Sequence, residues 1–209
     1  PMIPYFAYQR KRFFDFCLEK FYFSHTFRQE SGLLPQKGTE SVEMRTTDMA
    51  DELFSGAAQP LPAGVRLATA RHGGVTVTRV EVAREGLSRP RGRYVTLEMP
   101  SVSVLDERDA AVIEVCAREL RALLPLEGPV LVLGVGNRRI TADALGPRTV
   151  QHILVTMGAG AAPPVRGLRP VAAVAPGVAA ATGLSLQQLA AALVGQLRPA
   201  AVVCVDSLC

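Results

Sequence analysis

Two aspartates stand where an α/β sheet presents its reactive groups. Asp143 follows the apolar run Val130–Leu133 and the turn Gly134-Val135-Gly136-Asn137; Asp206 follows Ala201–Val205. Short apolar runs bounded by Pro or Gly are read as strands buried on both faces. Ligands of open α/β sheets sit beyond the carboxyl ends of such strands. Two carboxylates on one such edge suit the activation of a water. One acts as base while the other, protonated, donates to a substrate carbonyl. Proximity of like charges splits their pKa values, and the two titrate as a coupled pair. The plainer roles are a loop or helix cap for Asp143 and a surface strand end for Asp206.

Around them lie further candidates. Asn137 and Thr141 share the Asp143 loop, and Pro176-Gly177-Val178 with Thr182-Gly183 forms a second glycine loop at a strand end. Asn137, Thr141, Gly177 and Thr182 are therefore candidate walls of a substrate cleft. Gly134-Val-Gly136 lacks the third glycine of a dinucleotide fingerprint, since position 139 is Arg. Arg138 and Arg139 suit phosphate or acidic side chains, or simply a solvated loop. No G-x-S-x-G elbow is present. His25, His72 and His152 are scattered, and Cys17, Cys116, Cys204 and Cys209 show no C-x-x-C spacing. The cysteines are expected to be reduced thiols, and no metal and no cofactor is expected.

The elements that must position the aspartates follow from periodicity. Val65–Ala70 and Val75–Val82, joined across Gly73-Gly74, predict a β-hairpin, and Gly92–Glu98 a third strand. Asp106–Leu124 predicts a helix with an apolar face of Ile113, Cys116, Ala117, Leu120 and Leu124. Val130–Leu133 is the next strand. A helix near Pro147 is expected to bury Val150, Ile153 and Leu154. Val171–Ala175 is a strand, Ser185–Leu197 a helix opened by a Ser185/Gln188 capping box, and Ala201–Val205 the last strand. The fold class is α/β: a mostly parallel sheet with helices on both faces, preceded by a small β-rich portion.

The chain has 209 residues, 48% of them hydrophobic, 20% charged, with a net charge of +4. That suits a folded core with a mildly basic surface. Residues 1–43 differ from the rest. Of the twelve aromatics, ten lie between Tyr5 and Phe27, interrupted by basic residues, and Ser31–Val42 is linker-like. No run there is long enough to span a bilayer, and Asp15 and Glu19 break any signal-peptide core. The expected organisation is an extension, pro-segment or linker over 1–43 and one incomplete α/β domain over 44–209. The chain opens on Pro1 rather than Met, as a fragment or an unusual start would.

Five segments, in order, resemble the spore germination proteases: Thr47-Asp-Met-Ala-Asp-Glu52, Gly92-Arg-Tyr-Val-Thr-Leu-Glu98, Gly134-x-Gly-Asn…Thr141-x-Asp-Ala-Leu-Gly-Pro147, Arg169-Pro170…Pro176-Gly-Val178…Thr182-Gly183, and Val205-Asp-Ser-Leu208. The resemblance implies an atypical aspartic-type endopeptidase made as a zymogen, with a fold similar to the hydrogenase maturation peptidases. It implies Asp143 and Asp206 as the catalytic pair. It also implies small acid-soluble spore proteins as substrate, a homotetramer, and the cytoplasm of the spore core as the location. No nucleic acid or membrane partner is implied. Family members continue well beyond the position of Cys209, so the chain is expected to be the amino-terminal half of such an enzyme. The alternatives are an inactive remnant of that protease and a metal-dependent maturation-type peptidase.

Overall fold

The computed structural model describes residues 5–11, 20–26, 50–55, 61–87, 89–99, 110–158 and 166–208. The linker at 31–42, Thr47-Asp48 and the expected helix start at Asp106 lie outside them. The strands are β1 (Tyr5–Lys11), β2 (Lys20–Thr26), β3 (Val65–His72), β4 (Val75–Val82), β5 (Gly92–Glu98), β6 (Val130–Gly134), β7 (Val171–Val174) and β8 (Ala201–Leu208). The helices are α1 (Ala50–Ser55), α2 (Ala110–Leu123), α3 (Leu145–Gln151), α4 (Ala179–Thr182) and α5 (Leu186–Leu197).

One sheet runs in the order β3-β4-β5-β2-β1-β8-β6-β7. Its β1, β8, β6 and β7 are parallel neighbours, and its four other pairings are antiparallel. The sheet is thus mixed, and the β-rich portion is continuous with the parallel strands rather than separate from them. The continuity comes from residues 1–43. Strands β1 and β2 bridge β8 to β5, with Tyr8 level with Val205 and Phe23 level with Val95.

Alternation along each strand sorts the core into two faces. Val130, Val132, Val203 and Val205, with Val75, Val77, Val95 and Leu97, pack beneath α2 and α3. Leu131, Leu133, Val202 and Cys204 pack beneath α5, and Val80, Val82 and Tyr94 beneath α1. The crossover from β6 to β7 carries α3, and the return from β7 past β6 to β8 carries α5. They run in opposite directions on opposite faces, as a single hand of crossover requires.

The Gly73-Gly74 turn has φ of 55° and 84°, the left-handed pair that a two-residue hairpin demands. Ser185 caps α5 with the reciprocal Gln188 bonds expected of a capping box. Two apolar faces differ from expectation. In α2, Cys116, Leu120 and Leu124 pack on the core as expected, but Ile113 (58% exposed) and Ala117 do not, and the buried residues are Val112, Val115, Glu119 and Leu123. The helix is rotated because Glu119 is drawn inward by Arg79 of β4, whose Nε and Nη2 donate to it at 2.8 and 2.6 Å. Burial pushes the Glu119 carboxyl up, but hydrogen bonds from Arg79 and Arg118 outweigh this and hold it below the usual range. Near α3, Val150 and Ile153 pack on the core, but Leu154 lies beyond the helix and is exposed.

Two segments of the quoted motifs meet across the sheet. Thr96 of β5 donates to the buried Asp51 of α1 at 2.6 Å. The Tyr94 hydroxyl, pushed up to about 12 by burial, donates to the Pro90 carbonyl at 2.6 Å. Arg169 closes the other end. Its guanidinium donates to the carbonyls of Gly128, Pro125 and Glu127 at 2.6, 2.8 and 2.8 Å, tying the α2–β6 turn to the start of β7. Arg169→Ala should cost about 2 kcal/mol of stability by orphaning these carbonyls. Arg169→Lys should recover less than half, because the ammonium lacks the planar fork. Urea unfolding of the three proteins checks both values; a lysine variant as stable as wild type would refute the fork.

Candidate active site

Strand β6 ends at Gly134, and the chain turns through Val135, Gly136 and Asn137 before a 3₁₀ turn at Thr141–Asp143 and helix α3. Three glycines make this turn possible. Gly136 has φ of 119°, and a Cβ there would lie 2.1 Å from the Asp143 carbonyl oxygen and 2.8 Å from its Oδ1. A Cβ on Gly134 would lie 2.2 Å from the Gly146 carbonyl oxygen. A Cβ on Gly146 would lie 2.3 Å from the carbonyl oxygens of both Val135 and Val205. The backbones of β6, α3 and β8 therefore touch without intervening side chains. Val135 N–H donates to the Val205 carbonyl at 2.8 Å and locks the ends of β6 and β8 together.

This contact sets Asp143 beside Asp206. Asp143 Oδ2 accepts from the Asn137 backbone N–H at 2.8 Å. Asp206 lies inside β8 rather than beyond it, because β8 continues to Leu208 by pairing with β1, Gln9 opposite Asp206. Asp206 Oδ1 accepts from the Ser207 N–H at 2.8 Å. The Asp206 carboxyl is half-buried, and desolvation raises its pKa. The Ser207 hydrogen bond works against this, and the negative charge of Asp143 adds to it. The charge of Asp143, in the 3₁₀ turn, thus reaches Asp206 in β8.

Among the other candidates, Asn137 belongs to the Asp143 loop directly. Its backbone holds Asp143, and its Oδ1 accepts from the Arg139 N–H at 3.0 Å. Thr141 opens the 3₁₀ turn and is exposed. Gly177 (φ 78°) and Thr182 flank α4 on the loop after β7. Thr182 Oγ1 bonds only Val178 and Leu184, so it stabilises its own turn. A hydrogen bond joins Asn137 and Asp143, and the charge of Asp143 reaches Asp206; no hydrogen bond among the described residues links Gly177 or Thr182 to these three. A residue missed from the sequence is Gly146, whose role is a three-backbone contact that no side-chain chemistry signals.

Among the described residues, no group of three or more His, Cys, Asp or Glu is placed to hold a metal ion. No described helix is long and apolar enough to cross a membrane.

Comparison with known proteins follows the same residues. Residues 40–209 match the family described as germination protease. A germination protease of Clostridium acetobutylicum is 36% identical over 158 residues, covering 69% of this chain and 48% of that protein. The Priestia megaterium protein is 35% identical over 147 residues, with 65% and 40% covered. The Bacillus subtilis protein is 35% identical over 149 residues, with 66% and 40% covered. The chain spans less than half the length of these relatives.

Proposed function

Because this chain belongs to the germination protease family, we propose that it carries the acid–base pair of an endopeptidase that degrades small acid-soluble spore proteins in the core of the germinating spore. The observation that supports this reading is that the Asp143 charge helps raise the pKa of the half-buried Asp206, where Val135 and Val205 hold the ends of β6 and β8 together. On the same reading the enzyme is of the atypical aspartic type, with a fold similar to the hydrogenase maturation peptidases. It is processed from a zymogen and works as a homotetramer.

In this mechanism Asp143, oriented by the Asn137 N–H, takes a proton from a water as its oxygen attacks the scissile carbonyl carbon. Asp206, whose proton is held more tightly by burial and by its neighbour's charge, donates a hydrogen bond to the carbonyl oxygen. The tetrahedral intermediate collapses as the amide nitrogen takes up the proton from Asp143 and the C–N bond breaks.

The test is cleavage of a purified small acid-soluble spore protein by the protein carrying this sequence. The rate should fall as pH rises through the titration of Asp206, and Asp206→Asn should abolish that limb. An unchanged profile would remove Asp206 from the mechanism. Stability gives a second readout. The raised folded-state pKa means that the native state binds this proton more tightly than the unfolded chain does. Its contribution to stability is complete below the unfolded pKa and is lost as pH rises through the folded one. Asp206→Asn should therefore melt above wild type at pH 7, with the gap closing towards pH 4. A gap that widens on acidification would contradict the assigned environment.

A further inference from the structure

A groove of about 460 Å³ opens between the α2 face of β3–β5 and the carboxyl-terminal half of α2. Its floor is aliphatic, from Ala68, Val95 and Leu123, and its rim carries Arg66, Arg79 and Arg93. The charges there do not balance. Glu81 lies between Arg66 and Arg93 in one cross-strand row and reaches only Arg66, at 3.7 Å. Arg79 is committed to the buried Glu119. Arg93 is exposed and makes no hydrogen bond or ion pair among the described residues. It is also the one cation of the Gly92–Glu98 motif, whose Tyr94, Thr96 and Leu97 all have packing or hydrogen-bonding roles.

The groove is separate from the aspartates. Arg93 is level with His25, Phe6 and Val203, three residue rows below Asp206 and three strands away. That is on the order of 17 Å in the plane of the sheet. By strand alternation Asp206 faces the α5 side and Arg93 the α2 side.

We infer that this groove is a second docking site, taking a carboxylate-bearing extended segment of the protein substrate at least about five residues from the scissile bond. The inference rests on the proposed endopeptidase reading. A planar guanidinium that no described residue engages is suited to pair bidentately with a carboxylate. The aliphatic floor takes the alternate side chains of an extended peptide. Nucleic acid suits the groove less well, since its one aromatic lining residue, Tyr94, is buried in the cluster beneath α1 and presents no ring face on which a base can stack.

The test is fluorescence anisotropy of the full chain with a fluorescein-labelled peptide of alternating Glu and Leu, at low salt. Arg93→Glu and Arg66→Glu should each weaken binding about tenfold. Arg166→Glu, the same charge change on an exposed loop outside the groove, should weaken it no more than about twofold. Melting curves establish that each variant is folded. The inference is overturned if wild type does not bind the peptide, if Arg93→Glu binds as wild type does, or if Arg166→Glu loses as much. It is also overturned if a single-stranded oligonucleotide of equal charge binds more tightly through the same arginines. Peptide binding in a protein that cleaves nothing would keep the groove and sink the hydrolytic reading; cleavage without peptide binding would sink the groove alone.

Discussion

Asp143→Asn should lower the rate of spore-protein hydrolysis about a thousandfold while the protein folds and melts as wild type does. Asparagine keeps the shape of the side chain and an oxygen that can accept from the Asn137 N–H. It fits the clearance that Gly136 leaves, so the turn should survive. What disappears is the base that takes the proton from water. Its charge disappears too, so Asp206 loses one of the causes that raise its pKa. The fall of any residual activity with rising pH should therefore set in at lower pH. Single-turnover cleavage from pH 5 to pH 8, with melting curves on the same samples, measures both. Cleavage within a few-fold of wild type would remove Asp143 from the chemistry.

The second large effect is structural. Gly146→Ala should destabilise the protein by about 3 kcal/mol, roughly 10 °C in Tm, because the new methyl meets backbone atoms rather than flexible side chains. The clash falls on the carbonyls of Val135 and Val205, at 2.3 Å each, so the β6–β8 contact must open. That contact sets the separation of the two aspartates, and hydrolysis should fall with stability. Gly195→Ala is the counterpart. A Cβ at Gly195, within α5, meets nothing within 4 Å, so this substitution should stabilise by up to about 1 kcal/mol. Thermal unfolding of the pair decides the matter; equal melting temperatures would show that the β6–α3–β8 contact yields at little cost.

Much of this arrangement is legible in the sequence, and the exceptions have physical causes. The β3–β4 hairpin is written in Gly73-Gly74, and α5 in its capping box, because both signals are local. The α2 face is not. A glutamate counts as polar in any periodicity, yet Glu119 is buried because Arg79, forty residues away, neutralises it. Asp206 reads as lying beyond a strand because its apolar run ends at Val205, and only the distant β1 extends the pairing. Asp143 reads from the sequence as lying in the loop after the Val130–Leu133 strand, and it lies in the 3₁₀ turn after β6. The role of the glycine at 146 is not legible, since a close approach of three backbones leaves no mark on side-chain chemistry. The aromatic stretch over 1–43 gave no strand expectation for the same reason: its partners are β8 and β5, far along the chain.

That last pairing has a consequence for synthesis. Tyr5 sits opposite Val202, and Tyr8 opposite Val205, so the middle of the sheet is closed by segments almost two hundred residues apart. As the nascent chain leaves the ribosome, residues 5–26 emerge long before β8 and find no β8 to join. The β3–β4–β5 meander can form early, from contacts close in sequence. Strand β1, however, must wait, solvated or held by a chaperone, until β8 has emerged. Folding should therefore be limited by a late zipping step whose rate depends on the loop closed between β1 and β8, and aggregation should compete with it at that stage.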